Sequence, residues 1–298
     1  MAAVGTRLQG PGFLQGGGDA GARIRAVDWS RTPLGAPDAW PTGLRTAVRI
    51  LLDSLHPMWL AWGEDLPLLY NDACVPLLGD RHPRAMGRPA RDAWAGFGLG
   101  AFVEGSLPTV LAGEATRDEG LLLFLERDGF REETYHAFSC SPLRDDGGDV
   151  RGLLCVVSEE TGQHVAARHA AVLRELAARL DGARTAEAVV ATAVQALSTD
   201  PLDLPYLAIY RVDAGAGVAR RVAGGRVADA NPALPVEVRL DDDRGWPIGR
   251  CVRDRRQVQV DDLAARVGHP HDGNGQPAPR QGVVVPIDIG DDGAPTAV

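Results

Sequence analysis

The 298-residue chain contains no lysine, and all 31 of its basic side chains are arginine. That absence excludes whole reaction classes. There is no lysine for a phosphate loop, for a Schiff base or for the nucleotide-binding strand of a protein kinase. Cysteine is scarce too. Cys74, Cys140, Cys155 and Cys251 form no C-x-x-C pair, and no histidine stands at zinc-ligand spacing from them. They read as buried thiols of a reducing compartment. No apolar run approaches the ~18 residues of a membrane span, and the N-terminus lacks the charged start and apolar centre of a secretion signal. The expected location is cytoplasmic. Acidic residues outnumber basic ones, 40 to 31, for a formal net charge of −9. The arginines form no stripe, so a nucleic-acid partner is not expected. No Gly-x-Ser-x-Gly elbow, Gly-rich ATP loop or Asn-containing ATP-lid box occurs, so no catalytic residues and no catalytic module are expected within the chain.

What is present suits about two domains, at roughly 150 residues each. Residues 1–22 are Gly-rich and poor in large apolar groups, and the composition predicts disorder. From Ile24 to Ser54 the prolines Pro33, Pro37 and Pro41 punctuate an ordered lead-in. A helix follows Pro41, with Leu44, Val48, Leu51 and Leu52 on one face. Between Pro57 and Gly79 lies a hairpin. Met58, Leu60 and Trp62 alternate with Trp59 and Ala61, Gly63-Glu64-Asp65 makes the turn, and Leu66 to Tyr70 returns. Asn71 is placed to cap the short helix that comes next. A short helix over 91–95 and a longer one over 99–112, interrupted by Gly105 and Pro108, lead to three strands near 116–125, 132–141 and 150–158. The pattern predicts an α+β fold for residues 23–160: a five-stranded antiparallel sheet with helices on one face.

Residues 161–184 read as a connector helix. Val165, Val172, Leu173, Leu176 and Leu180 form a narrow stripe suited to a parallel coiled-coil seam between two copies, or to packing on the next domain. Thr185 is placed to cap a further helix. Residues 185–298 predict a smaller α/β sheet domain with strands near 204–212, 218–224, 236–240, 257–260 and 283–289 and a helix near 246–254. The last strand is only beginning where the sequence stops, so this domain is expected to be incomplete.

These residues carry a family resemblance. The run Tyr70-Asn71-Asp72-Ala73 resembles the strand-to-helix junction of PAS sensor domains. Ser139 to Thr161 (SCSPLRDDGGDVRGLLCVVSEET) resembles their final hairpin, with Glu159-Glu160-Thr161 in place of the usual Asp-x-Thr signature. The lead-in DWSRTPLGAPDAWPTGLRTAV is similar to that of bacterial sensors at the start of histidine kinases. Residues 249–263 (GRCVRDRRQVQVDDL) resemble the middle segment of GAF domains. The resemblance implies a PAS-plus-partial-GAF sensory module of a bacterial two-component sensor histidine kinase, with a small-molecule ligand and a homodimer through the connector. A serine phosphatase, a diguanylate cyclase or a stand-alone scaffold are the alternative parents.

Trp62, Tyr70, Trp94, Phe97, Phe102, Tyr135 and Phe138 are the candidate lining of a PAS ligand pocket; an ordinary filled core is the competing reading of the same aromatics. Asn71, Glu159 and Thr161 are the candidate signal-coupling residues. The cofactor is left open, and three obvious ones fit poorly. Cys74 lies in Asn-Asp-Ala-Cys-Val-Pro, not in the context of photoactive flavin domains. His56, His82 and His136 show no spacing for haem. Cys251 is followed by Val252 rather than the histidine of bilin-attaching GAF domains. His169 lacks the acidic neighbour and downstream proline of a phosphoacceptor. The loop His269-Pro270-His271-Asp272 reads as flexible rather than as a metal site.

Overall fold

A computed structural model describes residues 11–95, 99–127, 130–199, 201–225, 234–242, 245–263, 266, 281–287 and 297–298. The chain divides into two units, Met1–Val165 and Ala166–Val298.

The first unit is built on β1 (Met58–Trp62), β2 (Leu68–Tyr70), β3 (Thr116–Arg127), β4 (Phe130–Arg144) and β5 (Val150–Glu159). The sheet runs β2-β1-β5-β4-β3 and is antiparallel throughout. The hairpin β1–β2 is local, and so is the meander β3–β4–β5. The pairing that joins them is β1 with β5, Met58 opposite Val156 through Trp62 opposite Gly152. Along β5 the side chains of Leu153, Cys155 and Val157 are buried, while Leu154 and Val156 are half-buried. This alternation separates two faces.

Helices cover both faces, not one. On the face of Trp59, Cys155 and Phe138 lie α4 (Ala90–Trp94) and α5 (Leu99–Leu111). Trp59 meets Trp94 with ring centroids 5.6 Å apart, and Phe138 meets Phe102 at 4.6 Å. On the opposite face, α2 (Thr42–Asp53) approaches Trp62, whose Cη2 stands 3.9 Å from where a Cβ on Gly43 would be. Leu44, Ala47, Val48, Leu51 and Leu52 of α2 are buried, as their spacing predicts. The short α3 (Val75–Leu78) follows β2.

The N-terminal expectation is also corrected. Residues 1–10 lie outside the described residues, but 11–22 are structured. A 3-10 turn at Gly12–Leu14 leads into α1 (Gly18–Ala26), with Leu14, Ala20 and Ile24 buried. The first N–H groups of a helix lack partners within it. Here the Asp72 carboxylate, more than fifty residues away, accepts those of Asp19 at 3.1 Å and Ala20 at 2.6 Å. Composition cannot reveal a helix completed by so distant a partner. Trp29 and Trp40 then pack edge to face, centroids 5.5 Å apart. Each indole N–H is satisfied locally, Trp29 by the Ile24 carbonyl and Trp40 by that of Gly35.

Helix α6 (Thr161–Leu180) leads from the first unit into the second, and Thr185 caps α7 (Ala186–Leu197) by accepting from the Ala188 N–H. The second unit holds a three-stranded sheet, β6 (Leu207–Asp213), β7 (Val218–Gly225) and β8 (Glu237–Arg239) in that order, and a two-stranded pair of β9 (Val258–Val260) with β10 (Gly282–Val284). Helix α8 (Ile248–Asp254) precedes β9. Val298 exchanges both backbone hydrogen bonds with Tyr210, and Ala297 does so with Ile287, so the last described residues extend the sheet beside β6.

Gly152 tests the central pairing. A Cβ there would run into the Ala61 carbonyl oxygen and come within 2.9 Å of Trp62 Cα. Gly152→Ala is expected to lower stability by about 1–3 kcal/mol through overpacking. Gly162→Ala, in α6 with open space around it, is expected to raise helix stability by roughly 0.5–1 kcal/mol. Urea unfolding of the two variants checks both signs.

Candidate functional site

One transverse row of side chains spans all five strands on the face covered by α4 and α5. Tyr70 stands opposite Trp59, Trp59 opposite Cys155, Cys155 opposite Cys140, and Cys140 opposite Thr116. Of the seven aromatics expected to line a pocket, Tyr70, Trp94, Phe102 and Phe138 belong to this face. Trp62 and Tyr135 do not. Each is an odd number of residues from an inward-facing neighbour on its own strand (Trp59 and Phe138), so the two-residue strand period turns it to the opposite face. Phe97 lies outside the described residues. The inward rings pack on one another, and Tyr70, Trp94 and Phe138 are almost wholly buried. Beside them, at the edge of the sheet, α5 and β3 border a solvent-open cavity of about 480 Å³ lined by Ala101, Phe102, Gly105, Ser106, Thr116, Arg117 and Asp118. Two buried polar atoms of this region have no hydrogen-bond partner, Thr116 Oγ1 and Trp94 Nε1.

The other end of the row is polar and fully connected. The Tyr70 hydroxyl is hydrogen-bonded to His82 Nδ1 at 3.0 Å, and His82 Nε2 to the Asp19 carboxylate at 2.9 Å. Burial pushes the Tyr70 phenol up to about 12. The bond from His82 holds Asp19 below the usual carboxylate range. His82 therefore joins α1 to β2. His136, nearly fully buried, lies on the inward face with its Nε2 3.9 Å from Glu159 Oε2, and His56 is exposed. Cys74 is completely buried, and desolvation raises its thiol far above the ordinary value.

Asn71 is not a helix cap. Its side chain makes no hydrogen bond to the following turn. Instead Oδ1 accepts the Met58 N–H at 3.0 Å, and Nδ2 donates to the Ser54 and His56 carbonyls at 3.1 and 2.8 Å. This buried amide fixes the segment from α2 into β1, which otherwise has irregular backbone to satisfy.

The junction between β5 and α6 gathers the other coupling candidates. The Thr161 hydroxyl donates to Glu159 Oε1 at 2.9 Å and accepts the Tyr135 N–H at 3.1 Å, while the Glu160 N–H donates to the Tyr135 carbonyl at 2.7 Å. One turn further, His164 stacks on the Tyr135 ring, centroids 4.5 Å apart and planes 10° apart, with Glu160 3.8 Å from its Nε2. Gly120, at φ +65°, leaves room for that imidazole: a Cβ there would stand 2.8 Å from His164 Cε1. Sequence reasoning missed His164 and Gly120. The only available signal was the i,i+4 spacing of Glu160 and His164 at the start of a helix.

In the second unit Cys251 is buried, with its Sγ 3.5 Å from the Val284 carbonyl. His169 pairs with Asp203 at 2.7 Å, beside a bidentate Arg168–Asp203 contact. The loop with His269, His271 and Asp272 lies outside the described residues. Among the described residues no group of three His, Cys, Asp or Glu side chains is placed to hold a metal ion, and no helix is long and apolar enough to cross a membrane.

The five strands and the helices α3, α4 and α5 fall within a region of known kind. Residues 52–165 match the family model of the PAS fold. No curated protein sequence matches the chain. Solved structures similar to it include a LOV protein of Rhodobacter sphaeroides (13% identity, covering 53% of this chain and 91% of that one, TM-score 0.33). Another is the LOV domain of the blue-light activated histidine kinase EL346 of Erythrobacter litoralis (20% identity, 36% and 98%, TM-score 0.28). A third is a methyl-accepting chemotaxis protein, residues 122 to 287 (23% identity, 42% and 78%, TM-score 0.31). The PAS assignment of residues 52–165 rests on the family match and on the five-stranded antiparallel sheet.

The Tyr70 phenol gives a pH test. Its folded value lies above the unfolded one, so its contribution to stability is complete below about 10 and is lost as pH rises toward about 12. In an alkaline titration followed by phenolate absorbance, Tyr70 is expected among the late-ionising tyrosines, with Tyr210, which burial also raises. Tyr70→Phe is expected to reduce the late step by one tyrosine and leave that of Tyr210; a loss from the ordinary step near 10 instead would show the Tyr70 hydroxyl to be open to water.

Proposed function

We propose that the first unit is a sensory module that passes the state of its sheet into α6 through the β5–α6 junction. The observation that carries this reading is the hydroxyl of Thr161, the first residue of α6, which ties Glu159, the last residue of β5, to the Tyr135 backbone of β4. On one side His136 brings Glu159 within reach of the inward face. On the other, the stack of His164 on Tyr135 holds the first turn of α6. A small change in strand twist or register at β4 and β5 then changes which of two helix arrangements is favoured, a population shift rather than a new contact. A small molecule in the cavity bounded by Phe102, Thr116 and Asp118, or a partner on the sheet, supplies the differential affinity.

The finer reading is a PAS-plus-GAF input of a bacterial sensor histidine kinase that acts as a dimer through α6. Its support is the resemblance of residues 28–48 and 249–263, and the stripe of Val165, Val172, Leu176 and Leu180 along a helix with no fully buried residue.

Hydrogen exchange on the full chain tests the junction. Thr161→Ala is expected to lower amide protection at Tyr135 and in the first turn of α6, at a cost of about 0.5–1.5 kcal/mol for the lost hydrogen bonds, and Thr161→Ser is expected to retain it. A small apolar molecule identified by thermal-shift screening is expected to alter α6 exchange in the native chain and not in Thr161→Ala or Glu159→Ala. Equal responses in all three would remove the junction as the transmitter.

A further inference from the structure

We infer that Cys140 and Cys155 form an oxidisable cross-strand pair, a disulfide site at the centre of the sheet that small hydroperoxides reach by way of the cavity beside Thr116.

The two cysteines are direct partners in the β4–β5 ladder and their side chains share the inward face. Directly opposed residues of antiparallel strands have Cα atoms about 4.5–5.5 Å apart, inside the roughly 4.4–6.8 Å over which a disulfide closes. No backbone rearrangement is needed to bring the sulfurs together. Desolvation, and next the neighbouring Cys140 thiol, push Cys155 well above the ordinary thiol value, so at rest the Cys155 thiol is neutral and slow to react. The same burial keeps out bulky disulfides and leaves only small oxidants as reagents.

Thr116 supplies the route. It lines the 480 Å³ cavity and is the direct partner of Cys140 on the next strand. Its Oγ1 is buried without a hydrogen-bond partner, which leaves an unmade hydrogen bond between the cavity and Cys140. In the first step the Cys140 sulfur attacks the distal peroxide oxygen. The O–O bond breaks, the thiol proton goes to the departing oxygen as water or alcohol, and Cys140 becomes a sulfenic acid. The Cys155 sulfur then attacks the sulfenic sulfur. The S–S bond forms as the S–O bond breaks, and the hydroxyl leaves with the Cys155 proton as water. Two thiols are oxidised and one peroxide is reduced. Cys155 lies on the strand that ends at Glu159, so a bond there pins β4 to β5 just before the junction. This consequence for α6 rests on the sensory reading; the disulfide does not.

The full chain treated with hydrogen peroxide, then alkylated and mapped by mass spectrometry, is expected to yield a Cys140–Cys155 cross-linked peptide that dithiothreitol releases. Cys140→Ser and Cys155→Ser are each expected to abolish it, with Cys140→Ala and Cys155→Ala as second variants if the hydroxyls are not tolerated. Thr116→Val is expected to slow its formation several-fold. The proposal is overturned if both thiols remain alkylatable after prolonged oxidation, if Cys74 is the partner found, or if the link forms only at denaturant concentrations that unfold the chain. A link that forms without changing α6 hydrogen exchange upholds the disulfide and refutes the sensory coupling.

Discussion

The pairing of β1 with β5 is the constraint on which the first unit depends. It joins residues 58–62 to residues 152–156, and no local preference specifies it. The hairpin and the three-stranded meander each form from neighbours in sequence, but neither closes a core alone. Their union brings two ends of a long loop together, at an entropic cost that grows only slowly with loop length. The return is the burial of Trp59 and Ala61 beside Cys155 and Leu153 on one face, and of Leu60 beside Leu154 on the other. Gly152 permits the approach by having no side chain to oppose the Ala61 carbonyl. Asn71 sets the register from the other direction by fixing the backbone just before Met58.

Once that pairing exists, the chemistry of the unit is sorted by face. The inward face carries the row from Tyr70 to Thr116, polar at both ends and aromatic or sulfur-bearing between. The opposite face carries Trp62 under α2 and Tyr135 under His164. Glu159 is where the two meet. Its carboxylate is near His136 of the inward face and bonded to Thr161 beside Tyr135. An acidic side chain one methylene longer than aspartate spans this distance.

The sequence made the strands legible because alternation is a short-range property. Five strands follow from residues such as Leu153, Cys155 and Val157 standing two apart, although β3 and β4 run two to three residues past their expected ends. Facing was less legible. Residue type alone groups Trp62 and Tyr135 with the inward aromatics, although counting from Trp59 and Phe138 assigns them to the other face. Local pattern makes Asn71 a cap, whereas its partners Ser54 and His56 precede it on another segment. The ordered residues 11–26 were hidden for the same reason: their helix is completed by Asp72 and held by His82. What failed in each case was a long-range partner, which no window of neighbouring residues contains.

The placement of α1 has a consequence for where this unit begins as a physical object. The family match starts at residue 52, but Leu14, Ile24, Trp29, Trp40 and Leu44 belong to the same hydrophobic cluster as Trp59 and Leu153. A polypeptide started at the boundary of family similarity would leave the sheet's α2 face bare and the carboxylate of Asp72 without the helix it completes. The matched region is thus shorter than the hydrophobic core that contains it. The described residues before the match, from Leu14 to Leu51, form a wall of the core rather than an appendage to it.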